Sequence, residues 1–226
     1  MWIRHIPYEE SEGKLRELYD RVKGPDDNVD NIMLAHSLRP HTMEGHMALY
    51  KNALHHTGNA IPTWFLEGIG VYVSILNGCA YCREHHFTGM SRWLDDERAG
   101  GILKALESGD LREAFDEKHA GALNYARKLT ENPSSISEDD VRALREAGWE
   151  DGEILEINQV ASYFNYANRT ALGLGMMTEG DVLGLSPIDA EDPRGLAPPL
   201  AVRPTLIAQL ADYEKLIWWL IMGKGG

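Results

Sequence analysis

Sulfur is scarce in this chain. Of 226 residues only two are cysteine, Cys79 and Cys82. One close pair is no disulfide scaffold, so the fold must stand on its own core. Positive charge is scarce too: 22 lysines and arginines face 35 acids, for a net charge of −13. That balance disfavours nucleic acid and anionic membrane surfaces as partners. No apolar run approaches the roughly 20 residues of a membrane span. The opening Met1-Trp2-Ile3-Arg4-His5-Ile6-Pro7 has no apolar signal core. With two thiols at redox spacing, these absences lead to the expectation of a cytoplasmic protein. Alternating strand patterns are missing as well.

What is present is helical period in an ordinary globular composition, 43% hydrophobic and 25% charged. The chain reads as all-α, a single-domain helical bundle. Glu9 to Val22 places Leu15, Leu18, Tyr19 and Val22 on one face, with Gly24-Pro25 as its stop. A short segment, Asp30 to Leu38, is expected to end at Pro40. Thr42 to His56 follows, with Met43, Met47, Leu49, Tyr50 and Leu54. The histidines in and just before it, His41, His46, His55 and His56, share no helical face and read mostly as solvent or helix-end residues. Ile61 to Leu76 is the most apolar helix, with Pro62 suited to its first turn and Gly68 and Gly70 permitting close packing. Asp95 to Leu106 opens on acids, as a helix start should. Arg112 to Thr130 reads as one long helix. Ser137-Glu138-Asp139-Asp140 reads as a capping box for Val141 to Ala147. Glu150 to Leu172 reads as a long apolar helix whose Asn165 and Asn168 share a face, suited to tying helix ends or loops together.

From Asp181 onward the character changes. Pro187, Pro193, Pro198, Pro199 and Pro204 forbid a regular helix and read as an extended arm. Thr205 to Met222 is helical again and ends in Leu216-Ile217-Trp218-Trp219-Leu220-Ile221-Met222. So apolar a stretch needs cover, on its own core or on another subunit. The expected organisation is a helical domain over residues 1–180 and an arm plus helix over 181–226 that makes an oligomer contact.

The chemistry concentrates in one segment. Glu67 is followed after eleven residues by Cys79-Ala80-Tyr81-Cys82-Arg83-Glu84-His85-His86. At about 100° per residue, Cys79, Cys82 and His86 fall within roughly 60° on one helix, while His85 points about 100° away from His86. Asn77-Gly78 is a turn signal, which puts the cysteines in a first helical turn. Free backbone N–H groups there favour an anion and lower a thiol's pKa. His86 is placed to take a proton or to pair with a thiolate. Glu67, an acid inside an apolar helix, needs a partner. It gains one if its helix folds back onto the cysteines. Three other readings stay open from residues alone: inert core cysteines, a zinc site of Cys79, Cys82, His86 and Glu67, and a Glu67 paired with an arginine. A faint repeat also exists. Leu66-Glu67 to Cys79 spans the interval of Leu155-Glu156 to Asn168.

The pattern Glu67, eleven residues, Cys79-x-x-Cys82, three residues, His86 resembles the alkylhydroperoxidase D-like group of the carboxymuconolactone decarboxylase superfamily, in its peroxidase-related branch. Ser74-Ile75-Leu76-Asn77-Gly78 and Asn165-Tyr166-Ala167-Asn168-Arg169 resemble it too, and the likeness covers about residues 30–180. The resemblance implies a helical, homo-oligomeric protein (dimer, trimer or hexamer) that reduces hydroperoxides without a cofactor or metal. It makes Cys82 the attacking thiol, Cys79 the resolving thiol, and His86 with Glu67 the proton relay. The implied partners are a hydroperoxide and an external dithiol of thioredoxin-like or lipoyl type. Some peroxidase members carry a second histidine between the cysteines, where this chain has Tyr81. This reading expects the sulfur of Cys82 to be ionised at neutral pH by nearby polar groups. Its rivals are a thiol-disulfide exchanger or sensor without peroxide turnover, a decarboxylase or lactone enzyme, and a zinc-held oligomer.

Overall fold

A computed structural model describes residues 1–24 and 27–184. Among them all regular structure is helical. The α-helices are α1 (Gly13–Val22), α2 (Asn31–Leu34), α3 (Pro40–Leu54), α4 (Thr63–Leu76), α5 (Ala80–Ser91), α6 (Asp96–Ser108), α7 (Glu117–Glu131), α8 (Glu138–Glu146) and α9 (Asp151–Gly173). The Pro-rich arm from position 185 and the apolar helix expected at Thr205 to Met222 lie outside the described residues.

Helix α4 is the axis of the bundle. Every residue from Phe65 to Ser74 is buried, with α5, α7 and α9 packed around it. A helix apolar on all sides has no face for water and must be enclosed. Its start is held by Glu156 of α9, whose carboxylate accepts the backbone N–H groups of Ala60 and Ile61 at 2.9 and 3.0 Å. Gly70 is a necessity: a β-carbon there would lie 2.2 Å from the ring of Phe164 on α9. The main core spreads from α4 to α6, α7 and α9, and a second cluster joins Leu15, Leu18 and Tyr19 of α1 to Met43 and Met47 of α3.

Most expected helices stand, and the differences have local causes. Pro40 does not end a helix; it begins α3, where its missing N–H costs nothing. The segment before it closes as the short α2 and a turn instead. The long helix expected at Arg112 to Thr130 is two pieces: a 3₁₀ turn at Leu111–Glu113, then α7. Asp116 makes the break, since its side chain caps α7 by accepting the His119 N–H at 2.9 Å. The capping box at Ser137 is present, with Asp140 accepting the Ser137 N–H at 2.8 Å.

Glycine substitutions test this packing. Gly70→Ala is expected to cost about 1–3 kcal/mol in urea unfolding, because the Phe164 ring has no free space to enter. Gly101→Ala, on the exposed face of α6 with nothing near its β-carbon, is expected to gain about 0.5–1 kcal/mol.

Candidate functional site

The cysteines sit where two helices meet. Helix α4 closes in a Schellman turn: Gly78, at φ +69°, donates its N–H to Ile75, and Cys79 donates its N–H to Ser74 at 2.8 Å. Cys79 is also the N-cap of α5, and its Sγ accepts the Cys82 N–H at 3.5 Å. One residue thus ends one helix and starts the next, which fixes its sulfur at the positive end of α5. Asn77 in this turn donates to Asn165 and Asn168 of α9 at 3.1 and 3.0 Å, and Asn168 in turn donates to Ser74 Oγ at 3.1 Å. The asparagine pair does tie a loop in place.

Both thiols are free, at 1% and 4% exposure, and pack with Ala35, Tyr81, Ala171 and Met176. The hydrogen bond between them acts on the two thiols in opposite directions. The Cys79 thiol is lowered, chiefly because it accepts the hydrogen of Cys82, with the Cys82 backbone N–H and the charge of His85 adding to this. The Cys82 thiol is raised by the same hydrogen bond and by burial, with the Asn168 side chain opposing. These directions run against the expectation of an ionised Cys82 sulfur. The N-cap sulfur receives two hydrogens and is the first of the pair to ionise.

The fold-back at Asn77-Gly78 brings α5 against α4. His86 Nδ1 lies 2.7 Å from Glu67 Oε2, so the buried acid has its imidazole, and no arginine among the described residues pairs with it. Gly89 makes room, since a β-carbon there would stand 3.3 Å from the Glu67 carboxylate. With Nδ1 engaged, Nε2 is the His86 nitrogen left for proton exchange. The other oxygen of Glu67, Oε1, lies 3.5 Å from His55 Nε2, which also contacts the Tyr50 hydroxyl at 2.9 Å. The His86 ring meets the Phe164 ring edge-on at 4.5 Å.

One residue beside this pair escaped the sequence reading. His46 is buried, at 3% exposure, rather than solvated, whereas His55, also buried at 7%, is a helix-end residue, the C-cap of α3. The sign was available for His46: it follows Met43 by three residues and so lies on the apolar stripe of α3. Its ring packs between those of His36 and Tyr163, at 5.2 and 5.8 Å. Burial, with the charges of His36 and His86 adding to it, pushes His46 down to about 3. Burial also pushes His55 down to about 4, with Glu67 opposing. His85 does not face Glu67. It contacts Asp181, which follows α9, at 3.2 Å. Among the described residues, no group of three or more His, Cys, Asp and Glu side chains is gathered to hold a metal ion. None of the described helices is long and apolar enough to cross a membrane.

A chain 26% identical, an uncharacterized peroxidase-related protein from Silicibacter sp. TM1040, superposes with a TM-score of 0.60 over 70% of this chain and 81% of its own. The fold is that of the alkylhydroperoxidase D-like proteins. A second neighbour, an alkylhydroperoxidase AhpD core protein from Ralstonia eutropha JMP134 also described as peroxidase-related, is 24% identical, with a TM-score of 0.59 over 75% of this chain and 83% of its own. These neighbours bear out the resemblance, carried by Glu67, Cys79, Cys82 and His86, to the peroxidase-related branch of the carboxymuconolactone decarboxylase superfamily. The same fold serves the debrominase Bmp8, solved with 2,3,4-tribromopyrrole: 18% identity, TM-score 0.55, 66% of this chain and 76% of that one. A scan against protein-family models and a sequence search of curated proteins give no match.

The two neutral histidines set a pH dependence. Each is depressed below the unfolded value of 6.5, so the unfolded chain binds more protons as acid is added. Stability is therefore whole above pH 6.5 and falls as pH drops toward 4. Asp30, pushed up to about 6 by burial, opposes this in part, because it takes up its proton in the folded state first. Urea midpoints at pH 7 and 4.5 should show the loss. His46→Phe should flatten the slope by up to about 1.4 kcal/mol per pH unit.

Proposed function

We propose that the protein is a cofactor-free thiol peroxidase working through Cys79 and Cys82. One observation supports this most: the His86 that pairs with the buried Glu67 carboxylate lies on α5 itself, one helical turn after the free thiol of Cys82. A structural cysteine pair has no use for a proton acceptor buried in the bundle's most apolar helix.

Cys82 gives up its hydrogen to Nε2 of His86, whose Nδ1 side is steadied by Glu67. The Cys82 thiolate attacks the terminal oxygen of the hydroperoxide. The O–O bond breaks, the alkoxide takes the proton from His86, and Cys82 becomes a sulfenic acid. Cys79 then bonds to the Cys82 sulfur and the oxygen leaves as water. An external dithiol, thioredoxin-like or lipoyl-type, returns the disulfide to two thiols by exchange. Cys82 attacks although Cys79 is the more readily ionised thiol, because His86 takes the Cys82 proton first. The aromatic rings of Tyr50 and Phe164 against His86, with Tyr163 packed on Tyr50, favour organic hydroperoxides over hydrogen peroxide. The protein acts as a homo-oligomer to which residues 181–226 contribute.

Coupled turnover of cumene hydroperoxide tests this reading. Cys82→Ser should abolish turnover. Cys79→Ser should consume one equivalent and stop at a sulfenic acid that dimedone traps. Glu67→Gln should slow the oxidation about 10²-fold or more while still forming the disulfide. Full activity in Cys82→Ser would overturn the assignment of the attacking sulfur.

A further inference from the structure

A thiol reacts only where a reagent can touch its sulfur, yet Cys79 and Cys82 are almost closed off, at 1% and 4% exposure. The buried cluster that encloses them is small: Ala35, Tyr81, Ala171 and Met176, with Leu174 packed against it. Leu174 and Met176 come just after α9, and among the described residues no further helix follows. From 174 to 184 the chain turns back and runs along α5. Only Met176 and Gly184 are buried in this stretch, so little apolar area holds it down.

It is fastened at its start, its middle and its end. At the start, Trp2 donates its N–H to the Leu174 carbonyl at 2.8 Å, and the Trp2 indole lies so close to Gly175 that a β-carbon there would stand 2.2 Å from it. In the middle, Asp181 turns its carboxylate inward, with the side chain only 1% exposed. Its Oδ1 accepts the Asn31 N–H at 2.9 Å and the Asn31 side-chain amide at 2.7 Å. Its Oδ2 accepts the Tyr81 hydroxyl at 2.6 Å and lies 3.2 Å from His85 Nε2. The Asn31 amide also donates to the carbonyls of Met177 and Glu179, each at 3.1 Å. Tyr81 stands between the two cysteines in the chain, and its hydroxyl accepts the Ile32 N–H at 3.1 Å. At the end, Gly184, at φ +69°, lies so close to Thr88 and Gly89 that a β-carbon would collide with them. A buried carboxylate that accepts from Asn31 and Tyr81 is the strongest of these holds, since hydrogen bonds to a charged group are about twice as strong as neutral ones.

We propose that residues 174–184 are a strap that controls access to the thiol pair, with Asp181 as its latch. Cys79 and Cys82 meet a reagent while the contacts of Asp181 to Tyr81 and Asn31 are parted and Met176 has lifted from the cluster. This rule goes beyond the peroxidase reading, because it holds for any reagent that must touch sulfur. Within that reading it bears most on the external dithiol, which has to bring its own sulfur into contact with the disulfide. The opening is local, since the strap has no helix of its own to unfold. When reclosing outpaces reaction, the observed rate is the intrinsic rate multiplied by the open fraction. Each hydrogen bond removed from the buried carboxylate raises that fraction about tenfold or more.

Thiol alkylation and amide exchange read the opening independently, in the reduced full-length protein. Iodoacetamide reports access to sulfur. The Met176 N–H, which donates to Ala171 at 3.0 Å, reports the strap itself by hydrogen exchange. Asp181→Ala should raise the alkylation rate about tenfold or more and speed exchange at Met176 by the same factor. Faster alkylation with unchanged exchange at Met176 would place the effect on the sulfur alone and overturn the proposal, as would no change in either. A second measurement needs no substitution. In the native protein, the logarithm of the alkylation rate should rise with urea on a slope well below that of global unfolding, because only the strap is exposed. A slope equal to the global one would mean that reagent meets the thiols only when the whole bundle unfolds, and native alkylation as fast as that of the unfolded chain would mean no cover; either overturns the proposal. Neither measurement involves peroxide. A strap without hydroperoxide turnover would keep this proposal and reject the peroxidase; turnover without a strap would do the reverse.

Discussion

A carboxylate buried in the most apolar helix of the bundle constrains everything around it. Glu67 is 3% exposed, on a helix that is enclosed along ten consecutive residues. An ionised acid there is costly unless its oxygens are met. One oxygen is met by His86, reached only because α5 folds back along α4, and the other lies near His55 at the end of α3. Three elements are pinned by one side chain. Gly89 follows from the same demand, since a larger residue would press on the carboxylate. The acid is thus both a packing constraint and the feature that supports acid–base chemistry.

The fold-back depends on Cys79. Its N–H closes α4 and its sulfur caps α5, so the turn and the reactive atom are one piece of geometry. The asparagines of α9 hold that turn from the other side. The lowering of the Cys79 thiol follows, because an N-cap sulfur is where hydrogens converge. The bundle's stability and the inequality of its two thiols share a cause.

How far sequence reasoning reached can be traced residue by residue. The α4–α5 hairpin and the meeting of Glu67 with His86 were legible, because helical periodicity, the Asn77-Gly78 turn and the cost of a buried acid all act locally or through one contact. The capping box at Ser137 was legible for the same reason. Pro40 was misread because proline stops and starts helices equally well; only the rest of the chain decides which. His46 was misread because its burial depends on α3 packing against α9. Asp181 was invisible beside His85, since nothing in sequence marks a contact across 96 residues.

The central claim is that two electrons leave this thiol pair for a peroxide bond. Single-turnover stoichiometry tests it most directly: the reduced, metal-free protein is mixed with one equivalent of an organic hydroperoxide, and free thiols and alcohol are counted together. The account predicts that both thiols disappear into one Cys79–Cys82 disulfide as one alcohol is formed. Two thiols still free after the peroxide has been offered in excess would contradict it.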